Sequence, residues 1–265
     1  MFFGKGIVIL TYVDDCLFFG PNLPENDALI EELQEDGFVL TKEDDVYAFL
    51  GVQVNKNASG KIQFQQVGLI NLILKHCNMS ECNAKAIPCE ATPLGTDAQG
   101  KVIQDRWNYA SAIGMLMYLP SSAYPEIQYA VHQCACFTHC PKHIHEEAVK
   151  RICRYLQGIK ELGGLQFNPT QELQLDCYVD ADFAGLWKYE DDQDPACVKS
   201  RTGYILNLGG CHFICIRKLQ QGIAFSATDA EYIALSQAMT DVIPLCALLL
   251  EVQEQLQLGP SSSIL

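Results

Sequence analysis

Positive charge is scarce in this sequence: 18 lysines and arginines face 32 aspartates and glutamates, a formal net charge of −14 over 265 residues. Phosphate binding relies on clustered Lys and Arg, so this balance argues against an avid, chain-wide grip on nucleic acid. Paired cysteine knuckles are missing as well. The 13 cysteines are odd in number and include no Cys-x-x-Cys, which suits buried or free thiols in a reducing compartment better than a disulfide framework. A long apolar run is absent from the N-terminus. One lysine precedes a short apolar stretch that Thr11 and an Asp pair interrupt, so neither a signal peptide nor a membrane span is indicated, and the expected location is intracellular, in cytoplasm or nucleus. What is present is apolar surface: 49% hydrophobic residues supply enough for two modest cores.

The stretch that organises the chain is Ile7-Val8-Ile9-Leu10-Thr11-Tyr12-Val13-Asp14-Asp15-Cys16-Leu17-Phe18-Phe19-Gly20. Two β-rich runs flank adjacent carboxylates, a pattern that predicts a hairpin with Asp14 and Asp15 at its turn. Neighbouring like charges are tolerated when solvated, when one is protonated, or when a cation sits between them. Two readings follow: a polar hairpin turn, or a divalent-metal site.

Further along, Asn26 or Asp27 caps a helix bearing Leu29, Ile30 and Leu33, and Gly37 stops it. Strands are expected around Leu50-Gly51 and over Ile62-Gln63-Phe64, and a short helix from Val67 to Cys77. The polar, proline-containing stretch from Glu81 to Gln104 reads as a long connection and not as packed structure. Between Ala130 and Lys160 lie His132, Cys134, Cys136, His139, Cys140, His143 and His145, but Cys134 and Cys136 would point to different faces of a helix, and the spacing does not match a tetrahedral zinc site. The helix from His145 to Gln157 gathers Lys150, Arg151 and Arg154. These form either a nucleic-acid backbone contact or a solvated face balanced by Glu146 and Glu147. Gly163-Gly164 and Asn168-Pro169-Thr170 mark a boundary, giving divisions at 1–66, 67–168 and 169–265.

In the last division Leu173 to Asp180 alternates like a strand. A polar insertion with Glu190, Asp191, Asp192 and Asp194 reads as a solvated loop. A hairpin about Gly209-Gly210 and a third strand at Ile223 to Phe225 precede a helix, for which Thr228-Asp229-Ala230-Glu231 fits a capping box. Tyr232, Leu235, Met239, Val242, Cys246 and Leu249 make an apolar stripe, and Pro244 is expected to kink or break the helix.

Tyr12-Val13-Asp14-Asp15 between hydrophobic strands resembles the palm hairpin of reverse transcriptases. Phe49-Leu50-Gly51-Val52, Tyr109 to Leu119, Arg151-Ile152-Cys153-Arg154-Tyr155-Leu156, Asp180-Ala181-Asp182-Phe183-Ala184-Gly185, Ser200-Arg201-Thr202-Gly203-Tyr204 and Ala230-Glu231-Tyr232-Ile233-Ala234-Leu235 are similar, in order and spacing, to copia-type retrotransposon Pol polyproteins. The resemblance implies an α+β chain: a partial reverse-transcriptase palm, a thumb and connection-like region, then an incomplete ribonuclease H-like α/β domain. It also implies RNA-directed DNA synthesis and RNA–DNA hybrid cleavage as the family's activities, and a primer-template or hybrid, or other Pol polyprotein, as partner, with no membrane. Mg²⁺ or Mn²⁺ would be held at Asp14 and Asp15 and at Asp180 and Glu231, with Asp182 as helper. The family's upstream polymerase Asp and two further ribonuclease carboxylates have no counterpart in this sequence, so each site is expected to be half a site and the chain inactive alone. Two departures remove positive charge: Ala123-Tyr124-Pro125-Glu126-Ile127 stands for Thr-Arg-Pro-Asp-Ile, and Cys136 for an arginine. Asp180 and Glu231 are expected to approach one another, with apolar residues unburied near Leu245, Leu248 and Leu249.

Overall fold

The structure, a computed structural model, describes residues 1–4, 6–20, 23–43, 46–103, 107–168, 174–185, 187 and 195–256. β1 (Phe2–Gly4), β2 (Ile7–Tyr12) and β3 (Asp15–Phe19) form an antiparallel sheet with β2 central. The helix α1 (Leu23–Glu35) follows, starting earlier than an Asn26 or Asp27 cap would place it. Gly37 ends it at φ 99°, where the Gly37 and Phe38 amides donate to the Gln34 and Leu33 carbonyls.

The strands β4 (Ala48–Phe49), β5 (Val52–Lys56) and β6 (Ile62–Gln65) make a meander. Its first turn is Leu50-Gly51, both with positive φ (52° and 73°), as a two-residue hairpin loop requires. Tyr118 donates its hydroxyl hydrogen bond to the Leu50 carbonyl at 2.8 Å, tying this turn to the helical region.

The principal core is helical. It is built from α2 (Val67–His76), α3 (Tyr109–Ser122), a short 3-10 turn (Pro125–Ile127), α4 (Gln128–Ala135) and α5 (His143–Ile159). Ile70, Ile73, Leu116, Leu119, Tyr124, Ile127, Ile152 and Leu156 meet there without solvent exposure. Asn108 caps α3, its side-chain oxygen accepting from the Ser111 amide at 2.8 Å. The stretch expected as a loose connection after Glu81 is instead packed: Cys82, Cys89, Leu94 and Ile103 lie against this core. Backbone donors hold it, Lys85 to the Arg154 carbonyl (3.1 Å) and Leu94 to the Gln133 amide oxygen (2.7 Å), so it works as a strap across α5 and α4. Then β7 (Leu165–Phe167) returns to pair with β6, completing the order β4-β5-β6-β7.

The last sheet is β8 (Leu175–Asp182), β9 (Arg201–Leu208) and β10 (Cys211–Leu219), antiparallel with β9 central. Among the described residues β8 has no strand on its outer edge. The helix α6 (Ala227–Gln255) packs on β8 and β9 through Ala230, Ala234 and Ala238, one small residue per turn, which lets helix and sheet approach closely.

Three expectations fail here. Ile223 to Phe225 is no strand, because Phe225 N–H is taken by the Asp229 carboxylate (2.9 Å) in the helix cap instead of by a ladder. The helix cap lies earlier than read: Ser226 is the N-cap, its side chain accepting from Asp229 N–H at 3.1 Å, so Glu231 has no part in it. Pro244 does not break α6, which is continuous over 29 residues and, by length and composition alone, long and apolar enough to cross a membrane. Its exposed apolar side chains are Tyr232, Leu235, Met239, Ile243 and Leu250, whereas Leu245, Leu248 and Leu249 are half-buried. The acidic insertion 190–194 lies outside the described residues.

Candidate catalytic and nucleic-acid-binding sites

The β2–β3 ladder ends with Tyr12 opposite Asp15, so Val13 and Asp14 alone make the turn. Val13 sits at φ 52° and is 85% exposed. A β-branched residue in the left-handed region is strained by about 1–2 kcal/mol, and here no packing compensates. Strain of this kind concentrates where the chain presents something. What it presents is two adjacent carboxylates, Asp14 and Asp15, both exposed.

At the second acidic site, alternation along β8 divides the residues. Cys177 and Val179 pack with Tyr204, Leu206 and the α6 residues Ala238, Val242 and Leu245. Asp180 has the parity of Asp182, and Asp182 points to Arg217 of β10 at 3.8 Å. The Arg217 guanidinium in turn lies over the Tyr129 ring of α4, 4.1 Å from its centroid. Asp182 also folds over Gly185, where a side chain would collide with its carboxylate. Asp182 is thus engaged within the chain, while Asp180 and Glu231 are exposed, the latter in the first turns of α6. Strand and helix pack together, and Gln220 fastens them: its Nε2 donates to Thr202 Oγ1 (3.1 Å) and the Ala230 carbonyl (2.9 Å).

A divalent ion needs several converging oxygen ligands. Among the described residues no group of three or more His, Cys, Asp or Glu is arranged to hold a metal ion, at either acidic site or in the His/Cys-rich segment. His145 is instead a structural pin, fully buried and stacked on Phe137 (centroids 4.0 Å apart). Lys142 N–H donates to its Nδ1 (2.8 Å), which leaves the proton on Nε2, donated to the Gly95 carbonyl (2.9 Å). Burial lowers its pKa.

The basic residues of α5 do not act as one patch. Lys150 bonds Glu146 (3.0 Å) and Glu147 (2.9 Å), and the Lys150 hydrogen bond holds Glu147 below the usual carboxylate range. Arg151 is ion-paired with Glu90 of the strap and donates to the Ile87 carbonyl at 3.2 Å. Arg154 has no ion pair with any described residue and lines two cavities, of about 520 and 350 Å³.

Residues 1–91 match the family model described as reverse transcriptase (RNA-dependent DNA polymerase). The retrovirus-related Pol polyprotein from transposon RE1 of Arabidopsis thaliana is 31% identical over 97% of this chain and 17% of its own length. That from transposon TNT 1-94 of Nicotiana tabacum is 33% identical over 89% of this chain and 18% of its own. This chain belongs to the copia-type Pol family. It spans less than a fifth of the length of those two polyproteins. A shorter relative, secreted RxLR effector protein 161 of Plasmopara viticola, is 35% identical over 51% of this chain and 89% of its own length. No solved structure matches.

Sequence reasoning on this Pol chain missed Val13, Glu90 and His145 as determinants. A β-branched residue before Asp14 was visible as a signal. Glu90 meeting Arg151 across 61 positions carried no sequence signal.

Proposed function

We propose that this chain is a reverse-transcriptase-derived Pol segment that engages nucleic acid weakly, through its helical region, and does not by itself synthesise DNA or cleave an RNA–DNA hybrid. The observation that carries this reading is the arrangement of acids: Asp14 and Asp15 stand exposed on one sheet, Asp180 on another and Glu231 on α6, with no third ligand gathered beside them among the described residues. Those residues do not fit a complete two-metal cage, and two-metal phosphoryl chemistry depends on such a cage. In this reading the first sheet is the palm hairpin, the helices are thumb and connection, and β8 to α6 is an incomplete ribonuclease H-like unit.

Primer extension on an RNA template with Mg²⁺ or Mn²⁺ tests the proposal, with no product expected from the purified chain. Extension that disappears in Asp14→Asn would refute it.

A second reading is a non-catalytic interaction module. It is favoured by α6, whose outward line from Tyr232 to Leu250 is apolar and exposed beside the edge of β8, which no strand pairs among the described residues. Saturable, stoichiometric binding of other Pol polyprotein, lost on Leu235→Glu with Ile243→Glu, would favour this module over nucleic-acid engagement.

A further inference from the structure

The field of the basic residues on α5 is edited by the fold. Lys150 and Arg151 are neutralised by carboxylates at contact distance, and Arg154 is not. Across from Arg154 stands Lys85 of the strap, exposed and also without an ion pair among the described residues. These two cations line both cavities that flank the strap. The larger, about 520 Å³ and open to solvent, is completed by Asn78, Asn83 and Cys82, with Glu81 as its one carboxylate.

Backbone geometry fixes the pair. Lys85 N–H donates to the Arg154 carbonyl at 3.1 Å, so strap and helix are fastened at the two residues whose side chains bear the charge. Gly158, one turn on, has the strap against its backbone: a Cβ there would stand 3.1 Å from the Ala84 methyl. Lys160 lies at the helix end, its ammonium 3.5 Å from the Asn71 side-chain oxygen. Burial raises the Cys82 thiol pKa, and Arg154 and Lys160 pull it back down, which places both cations within electrostatic reach of this thiol. In a chain of net charge −14, two cations without an ion pair at contact distance among the described residues, set beside side-chain amides with Glu81 in the cleft and Glu147 within coulombic reach of Arg154, make a place for an anion.

We propose that the cleft between residues 78–85 and the C-terminal half of α5 is a phosphate-binding site, with Arg154 and Lys85 as its cationic ligands, Asn78 and Asn83 as neutral donors and Lys160 at its margin. Its occupant is a phosphate of a nucleic-acid backbone. This rests on the nucleic-acid reading above but moves the site: Lys150 and Arg151 drop out, and Lys85, from a segment without regular structure, enters.

Two measurements on the full-length chain test it. In fluorescence anisotropy with a short RNA–DNA hybrid at low salt, Arg154→Gln and Lys85→Gln should each weaken binding about five- to tenfold and lower the salt slope by about 1, whereas Lys150→Gln and Arg151→Gln stay within about twofold. Lys85 is exposed, so its variant carries no folding burden. Equal losses from all four, or losses confined to Lys150 and Arg151, would overturn the assignment. The second measurement is site-resolved alkylation of Cys82. Inorganic pyrophosphate should slow it in the wild-type chain, by neutralising the cations that favour the thiolate, and should not in Arg154→Gln. Slowing by pyrophosphate without any hybrid binding would support the site as one for a free anion and refute the nucleic-acid reading. No slowing in either chain would overturn the site itself.

Discussion

Replacing His145 by Ala should destabilise the helical core by about 3–5 kcal/mol. Two backbone groups lose their partners, the Lys142 N–H and the Gly95 carbonyl, at about 1–3 kcal/mol each when left unsatisfied. The stack on Phe137 adds roughly 0.5–1.5 kcal/mol. The Gly95 bond also anchors the strap, so its loss loosens the chain beyond the imidazole itself. The effect has a signed pH dependence. Burial lowers the His145 pKa, and burial with the charges of Arg201 and Arg217 lowers that of His132. The unfolded chain therefore binds protons that the folded chain refuses. Stability is fully present above the unfolded value, about 6.5, and is lost as pH falls below it, at up to about 1.4 kcal/mol per pH unit for each histidine until its folded pKa is passed. Urea unfolding at several values between pH 8 and pH 5.5 reads both effects through the fluorescence of Trp107, which packs beside the core, 5.9 Å from the Tyr109 ring. His145→Phe keeps the aromatic body and should flatten part of the acid slope. A loss below about 1 kcal/mol in His145→Ala, or an unchanged slope in His145→Phe, would refute the reasoning.

Other outcomes follow from single positions. Val13→Asn should raise stability by about 1 kcal/mol in thermal unfolding, since Asn accepts positive φ and Val13 buries almost nothing; a decrease would show that the turn is not strained. Alkylation at pH 8 with peptide mapping should label Cys16, Cys136 and Cys140, which are exposed, and spare Cys134, whose thiol burial pushes up to about 12. Rapid modification of Cys134 in the folded chain would contradict the packing of α4. Gln220→Ala should cost about 1 kcal/mol or a little more by removing the two hydrogen bonds that its Nε2 gives to the Thr202 hydroxyl and the Ala230 carbonyl, read as earlier hydrogen exchange in the first turns of α6.

The elements most legible in the sequence were those with strong local signals. The hairpin at Asp14 and Asp15, the strands around Leu50-Gly51 and the Gly209-Gly210 hairpin each follow from residues that touch one another in sequence, although the first turn is Val13-Asp14 with Asp15 already in β3. Legibility failed where long-range partners decide. The strap looked polar and loose because its partners, Arg154, Gln133 and His145, lie 39 to 69 or so positions onward, beyond any local window. Ile223 to Phe225 had strand composition, but Ser226 and Asp229 claimed its backbone for a cap. Of the candidate site, the acidic residues were visible and their surroundings were not. Charge counting joined Lys150, Arg151 and Arg154 and offered Glu146 and Glu147 as their balance; those two answer Lys150, but Glu90, the partner of Arg151, lies 61 positions away and carried no such signal.

The return of β7 to β6 dictates an order of assembly. Gln63 reaches the Leu162 and Gly163 carbonyls, 99 and 100 positions away, so the meander's last strand, already paired with β5, waits for the whole helical stretch to emerge before it gains its second neighbour. Closing a loop of about 100 residues carries an entropic penalty that helices formed from nearby residues do not. During synthesis, therefore, α2 to α5 should gather first, while β6 stands with one side bare until residue 165 leaves the ribosome. A stall in that interval would leave an open strand edge available to any other nascent chain.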